Sequence, residues 1–198
     1  MDNDAALLIV DVQNDFCPNG ALAVPEGDRV VEPLNRAAER FARAGLPVLA
    51  SRDWHPPVTR HFRQYGGSWP VHCVQGSEGA AFHPDLRLPP GTVQLFKGLD
   101  PGRDSYSAFE AVTDGGIPLA TLLAWLGVNH LYIGGLATDY CVNFTTRDAL
   151  RSGVAVTVLT DAVAGVDVAP GDSARALEEM KQAGARFCTV DDLIPPSS

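Results

Sequence analysis

Ala5-Ala6-Leu7-Leu8-Ile9-Val10 and Val154-Ala155-Val156-Thr157-Val158-Leu159 are apolar runs without the polar alternation of a half-solvated strand. A strand with one wet face repeats with period two, so runs apolar at both parities must be covered on both faces. Shorter runs at 47–51, 92–96, 130–134 and 186–190 read the same way, which predicts six strands when 5–10 and 155–160 are included. Amphipathic patterns at about 28–44, 118–126, 139–152 and 170–183 lie between them, followed by Gly45, Gly127, Gly153 and Gly184 where helices should stop. Strands alternating with helices predict an α/β fold: a three-layer, open, mainly parallel six-stranded sheet with helices on both faces, Rossmann-like. Ligands of such sheets bind outside the carboxyl ends of the strands.

The 198 residues are expected to form a single domain, 1–198. Lys plus Arg is 15 against 24 Asp plus Glu, a net charge of −9, and no basic run offers phosphate neutralisation. Nucleic acid and anionic membrane are therefore poor partners, and a small neutral or cationic molecule fits better. No apolar run approaches the ~20 residues of a bilayer span, and Met1-Asp2-Asn3-Asp4 is acidic where a secretory leader is basic. A cytoplasmic protein is expected, with Cys17, Cys73, Cys141 and Cys188 as reduced thiols; nothing decides for or against a homo-oligomer. Pro195-Pro196-Ser197-Ser198 reads as a loose tail.

One segment breaks the rhythm. Residues 52–91 contain six prolines, five glycines and four of the five histidines, with no sustained period. Loops longer than about 15 residues in compact domains are usually functional or disordered. Trp54, Phe62, Tyr65, Trp69 and Phe82 argue against disorder. His55, His61 and His72 fall within eighteen residues, and Asp53 projects to the same side as His55 on extended chain. Three imidazoles and a carboxylate suit Zn²⁺, Fe²⁺ or Mn²⁺ better than Mg²⁺ or Ca²⁺, so 52–91 reads as a metal-binding insertion. His83, outside the tight spacing, reads as structural.

Cys141 follows Gly134-Gly135-Leu136-Ala137-Thr138-Asp139-Tyr140, a small-residue turn from a strand end into a predicted helix. In a first helical turn, free N–H groups and the positive end of the helix dipole would favour its thiolate and hold an oxyanion. Asp11 closes the first apolar run and Lys97 the run at 92–96, so both reach the same crevice. A thiol, a base and an ammonium at neighbouring strand ends are what acyl transfer requires. The other three cysteines read as inert, with Cys73 a stray ligand at most.

Together, Asp11-Val12-Gln13-Asn14-Asp15-Phe16, Asp53-Trp54-His55 with His61, Ser68-Trp69-Pro70-Val71-His72-Cys73, Lys97-Gly98 and Gly135-Leu136-Ala137-Thr138-Asp139-Tyr140-Cys141 resemble the nicotinamidases (pyrazinamidases) of the isochorismatase-like cysteine hydrolase superfamily. The resemblance runs from about residue 6 to 190. It implies hydrolysis of nicotinamide, and of pyrazinamide, through a cysteine thioester, in NAD salvage. It also implies that Asp11, Lys97 and Cys141 are catalytic. Asp53, His55, His61 and His72 would hold one divalent metal, usually zinc or iron, that anchors the ring nitrogen. By the same resemblance the Leu136–Ala137 peptide is cis, the N–H groups of Ala137 and Cys141 form an oxyanion hole, and Phe16, Trp69, Tyr106 and Ala137 contact substrate. Two departures stand out: the segment from Lys97 to Tyr106 is about two residues longer than in close relatives, and Tyr140 stands where some relatives carry His.

Four other readings compete: an amidase of the same superfamily acting on another small amide, hydrolysis by a metal-bound hydroxide with Cys141 structural, a vinyl-ether hydrolase, and a metal- or ligand-binding module without turnover. The vinyl-ether enzymes lack both the metal cluster and the cysteine by resemblance.

Overall fold

The computed structural model describes residues 1–194. Residues 195–198, the expected loose tail, lie outside the described residues. Seven strands form one sheet: β1 (Ala5–Val10), β2 (Val48–Asp53), β3 (Val93–Lys97), β4 (Val112–Thr113), β5 (His130–Leu136), β6 (Ala155–Ala164) and β7 (Arg186–Cys188). Their order is β4-β3-β2-β1-β5-β6-β7, and every neighbouring pair is parallel except β3 with β4. The four expected helices are present as α1 (Val31–Arg43), α2 (Leu119–Leu126), α3 (Asn143–Arg151) and α4 (Asp172–Gln182).

The parity of β1 shows why its run is apolar throughout. Ala5, Leu7 and Ile9 join a core containing Leu34, Ala38 and Phe41 of α1. Ala6, Leu8 and Val10 join the opposite core, with Leu119 and Leu123 of α2, Ala149 of α3 and Met180 of α4. Each such Leu or Ile contributes about 1.5–3 kcal/mol on burial. Gly135 in β5 has a φ of +129°, and a Cβ there would stand 2.0 Å from the Val10 carbonyl oxygen, so the β1–β5 pairing requires glycine.

The expected six strands become seven because β4 pairs antiparallel at the edge through two residues, too few to carry a periodic signal. β6 runs four residues past its expected end; its half-buried Asp161 accepts the Val190 N–H at 2.9 Å. No helix among the described residues is long and apolar enough to cross a membrane.

β1 is the switch point of the sheet, because the chain proceeds outward to β2 on one side and to β5 on the other. The crevice at its carboxyl end is where this architecture presents ligands.

Candidate active site

Asp11 follows β1, Asp53 ends β2 and Lys97 ends β3, with Asp53 and Lys97 opposite each other in register. Asp11 adopts a φ of +50°, a conformation that costs a non-glycine residue about 1 kcal/mol or more and is held only where the surroundings fix it. Here Ser51 fixes it: the Asp11 N–H donates to the Ser51 carbonyl at 3.1 Å, and the Ser51 hydroxyl donates to Asp11 Oδ1 at 2.8 Å. Gln13 clamps the neighbouring strand end. Its amide donates to the Asp53 carbonyl (2.8 Å) and accepts the Asp53 N–H (2.8 Å).

Lys97 Nζ is the hub. It lies 2.9 Å from Asp11 Oδ2, pairs with Asp53 Oδ1, and donates to Cys141 Sγ at 3.5 Å. The Lys97 side chain is wholly buried, where an ammonium survives only with good anionic partners. Burial alone would lower its pKa, but Asp11 and Asp53 outweigh that and hold it well above the ordinary value. Burial also raises the Asp11 carboxyl, with Lys97 offsetting part of the effect. Asp53 goes the other way: burial opposes its charge, yet Lys97 and the nearby histidines hold it below the usual carboxylate range.

Cys141 departs from its expected setting. It sits not in the first turn of an α-helix but within a π-helical turn, Thr138–Val142, that precedes α3. Burial pushes its thiol well above the ordinary value, and Asp11 and Asp53 raise it further against Lys97. This setting opposes the expected thiolate. Such a nucleophile needs a base, and an Asp11 oxygen, an Asp53 oxygen and Cys141 Sγ all lie within 4.8 Å of one another. These three atoms do not make a second metal site, because the Lys97 ammonium already touches all three residues.

One ring nitrogen from each of His55, His61 and His72 lies within 4.8 Å of the other two, and all three residues are buried. Their Nδ1 atoms face acceptors: the Gly98 carbonyl (3.2 Å) for His55, the Asp104 carboxylate for His61, and the Pro70 carbonyl (2.7 Å) for His72. Carbonyl and carboxylate oxygens only accept, so each Nδ1 is placed to donate, which in a neutral imidazole leaves Nε2 as the ligating nitrogen. Burial lowers the His72 pKa to about 4, which keeps it neutral and able to ligate. His55 Nε2 is buried and unpartnered among the described residues, 3.6 Å from Asp53 Oδ2, and His72 Nε2 is 4.0 Å from the same oxygen. Oriented lone pairs around a carboxylate fit a divalent zinc- or iron-type ion. Cys73 instead has its backbone N–H on Asp15 Oδ2 (2.7 Å), and burial pushes its thiol up.

Gly98 makes the approach of its own chain to His55 feasible. Its φ is +71°, and a Cβ would stand 2.5 Å from His55 Cε1. Gly98→Ala is expected to destabilise the fold by about 1–3 kcal/mol and to loosen His55. Thermal unfolding and metal titration of that variant check both effects.

A pocket opens over these groups, lined by Phe16, Trp69, Tyr106, Tyr140, Ala137 and Cys141 together with His61, His72 and Asp53. The structure thus brings the sequence-predicted substrate-contacting residues to one place. Trp69 Nε1 donates to the Tyr106 hydroxyl at 2.9 Å, and Tyr140 packs edge-on against Trp69 with centroids 5.1 Å apart. The Leu136–Ala137 peptide is cis, as the resemblance implied. Sequence reasoning missed Leu22, Val24 and Val166 on the pocket wall, Ser51 and Gln13 behind the carboxylates, and Asp104 behind His61.

The isochorismatase domain model matches residues 5–192. The chain belongs to the isochorismatase family. Within that family it is 44% identical over 205 residues to the nicotinamidase of Escherichia coli K12, covering 94% of this chain and 95% of that protein. The crystal structure of a Pyrococcus horikoshii pyrazinamidase in complex with zinc superposes with a TM-score of 0.87 at 45% identity, covering 94% of this chain and 99% of the other. An L. infantum protein in complex with nicotinate superposes with a TM-score of 0.86 at 36% identity, covering 96% and 94%. His83 lies outside the histidine cluster, where its Nδ1 accepts the Asp85 N–H at 3.3 Å, in keeping with a structural role.

Proposed function

We propose that this isochorismatase-family chain is an amidase that hydrolyses nicotinamide to nicotinate and ammonia, and accepts pyrazinamide, through a thioester on Cys141. One observation carries the reading: the Lys97 ammonium touches Asp11, Cys141 and Asp53 at once, so groups for acyl transfer and groups for metal ligation meet under one pocket. The aromatic lining suits a flat heteroaromatic ring. The activity of the E. coli relative and the nicotinate held by the L. infantum protein support the choice of ring.

In this account Phe16 and Trp69 flank the ring and direct the carboxamide to Cys141. Asp11 takes the Sγ proton as sulfur attacks the amide carbon. The N–H groups of Ala137 and Cys141 receive the oxyanion. Asp11 returns the proton to the departing nitrogen, and ammonia leaves. Asp11 then takes a proton from water, which attacks the thioester, and returns it to the departing Cys141 sulfur; nicotinic acid leaves and loses its remaining proton to solvent as nicotinate. The Lys97 ammonium, 2.9 Å from Asp11 Oδ2, favours the ionised carboxylate against the effect of burial. Asp53, His55, His61 and His72 would hold a divalent metal, which when bound supplies a Lewis acid for the ring nitrogen.

We read 1–198 as one hydrolase domain with a metal-binding insertion at about 52–91, and place it in the cytoplasm, where free Cys17, Cys73, Cys141 and Cys188 stay reduced. Ammonia release from nicotinamide, pyrazinamide and an aliphatic amide tests the function. Turnover of the two heteroaromatic amides and neglect of the aliphatic one is the expected result. Equal rates on all three would refute the role of the ring.

A further inference from the structure

The segment between Lys97 and Tyr106, singled out by its length, is exposed from 99 to 104 yet is hydrogen-bonded to the histidine loop. Its Pro101 carbonyl accepts the Arg60 N–H at 2.9 Å and the Thr59 hydroxyl at 3.4 Å, and Thr59 Oγ1 in turn accepts the His61 N–H at 3.2 Å. Asp100 Oδ1 stiffens the segment by accepting the Gly102 N–H at 2.8 Å. The same segment supplies the Gly98 carbonyl to His55 and the Asp104 carboxylate to His61. Two of the three imidazoles are therefore oriented by one stretch of seven residues, and it begins directly after the lysine that bridges the acyl-transfer groups.

We propose that residues 98–104 are the orienting frame of the metal cluster and that Asp104 is the positioning residue for His61. The inference rests on the metal reading above and assigns Asp104 no contact with substrate. His55 and His72 are held by neutral carbonyls, whereas His61 alone among them is held by a carboxylate. A carboxylate behind an imidazole fixes its tautomer and raises the basicity of the ligating nitrogen, and losing such a partner typically weakens metal affinity 10–100-fold. The Asp104 side chain is 51% exposed, so solvent screens part of its charge and the lower end of that range applies. The same exposure makes its replacement harmless to the core.

The test uses the full chain and Co²⁺ or Zn²⁺ in competition with a chromophoric chelator. Wild-type protein is expected to bind one ion, Asp104→Ala to bind it about tenfold more weakly, and Asp104→Asn, which keeps an acceptor but not the charge, to fall between. Arg103→Ala, beside it on the same exposed segment, is expected to bind as the wild type does. In the Co²⁺-loaded proteins, three exchangeable imidazole N–H resonances are expected, and only the one from His61 should shift or vanish in Asp104→Ala. Stoichiometric binding with affinity and all three resonances unchanged in Asp104→Ala would overturn the role of Asp104 while leaving the metal site intact. A wild-type protein that binds neither ion would overturn the metal reading and this inference together.

Discussion

Cys141→Ala is expected to lower nicotinamide turnover by at least about 10⁴-fold while leaving the fold and metal content unchanged, because removing a nucleophile disables the whole set of groups that serve it. The structure gives this variant little other reason to fail. Sγ accepts from Lys97 at 3.5 Å, and the ammonium keeps Asp11 and Asp53 as partners when the sulfur is gone. The variant also separates two chemistries. If the reaction ran through a metal-bound hydroxide with Cys141 structural, Cys141→Ala would keep near-normal rates and His55→Ala would be dead. Steady-state ammonia release, with circular dichroism and metal analysis on the same preparations, decides between them.

Lys97→Met is the second large effect, and it falls on stability as well as on rate. Removing the ammonium leaves Asp11 and Asp53 buried and facing each other without their shared cation. Breaking a buried ion pair from one side costs about 3–5 kcal/mol. For a chain of this length that corresponds to a fall in Tm of roughly 10 °C, readable by calorimetry. The pH dependence has a definite sign. The pKa of Lys97 is raised on folding, so its contribution is complete below the ordinary lysine value of 10.5 and disappears as pH rises from there through the folded value. The pKa of Asp53 is depressed, so its contribution is complete above the ordinary 3.8 and disappears as pH falls below it. The gap in Tm between wild type and Lys97→Met should therefore be widest near neutral pH and narrow at strongly alkaline pH. Turnover should fall in the variant and its pH profile should move to higher pH, since Asp11 loses the cation that offsets the effect of burial on its carboxyl.

Why some of this molecule is legible in its sequence and some is not follows from the reach of each signal. Residues 5–10 announce a doubly covered strand because both parities are apolar, and both parities do meet separate helical layers. Val112–Thr113 announces nothing, since two residues have no period. The histidines are legible because imidazoles are rare and three fall close together. Their orienting partners are not: a carbonyl such as that of Gly98 or Pro70 has no side-chain signature, and Asp104 is 43 residues from His61 in sequence. Cys141 shows the same limit. Its place after a glycine-rich turn suggested a nucleophile, but its protonation depends on burial and on Asp11, Asp53 and Lys97, which come from three other strand ends. Sequence spacing indicates which groups can meet; the dielectric around them is settled only by the fold.

The central claim is that Cys141 carries the acyl group. It is tested most directly by mixing the metal-loaded protein with excess nicotinamide, quenching in acid at millisecond intervals, and measuring the mass of the peptide that contains Cys141. The account predicts a nicotinoyl adduct on that peptide that appears before steady state and is absent from Cys141→Ala. Ammonia released in the same samples with no acylated peptide at any time would contradict it.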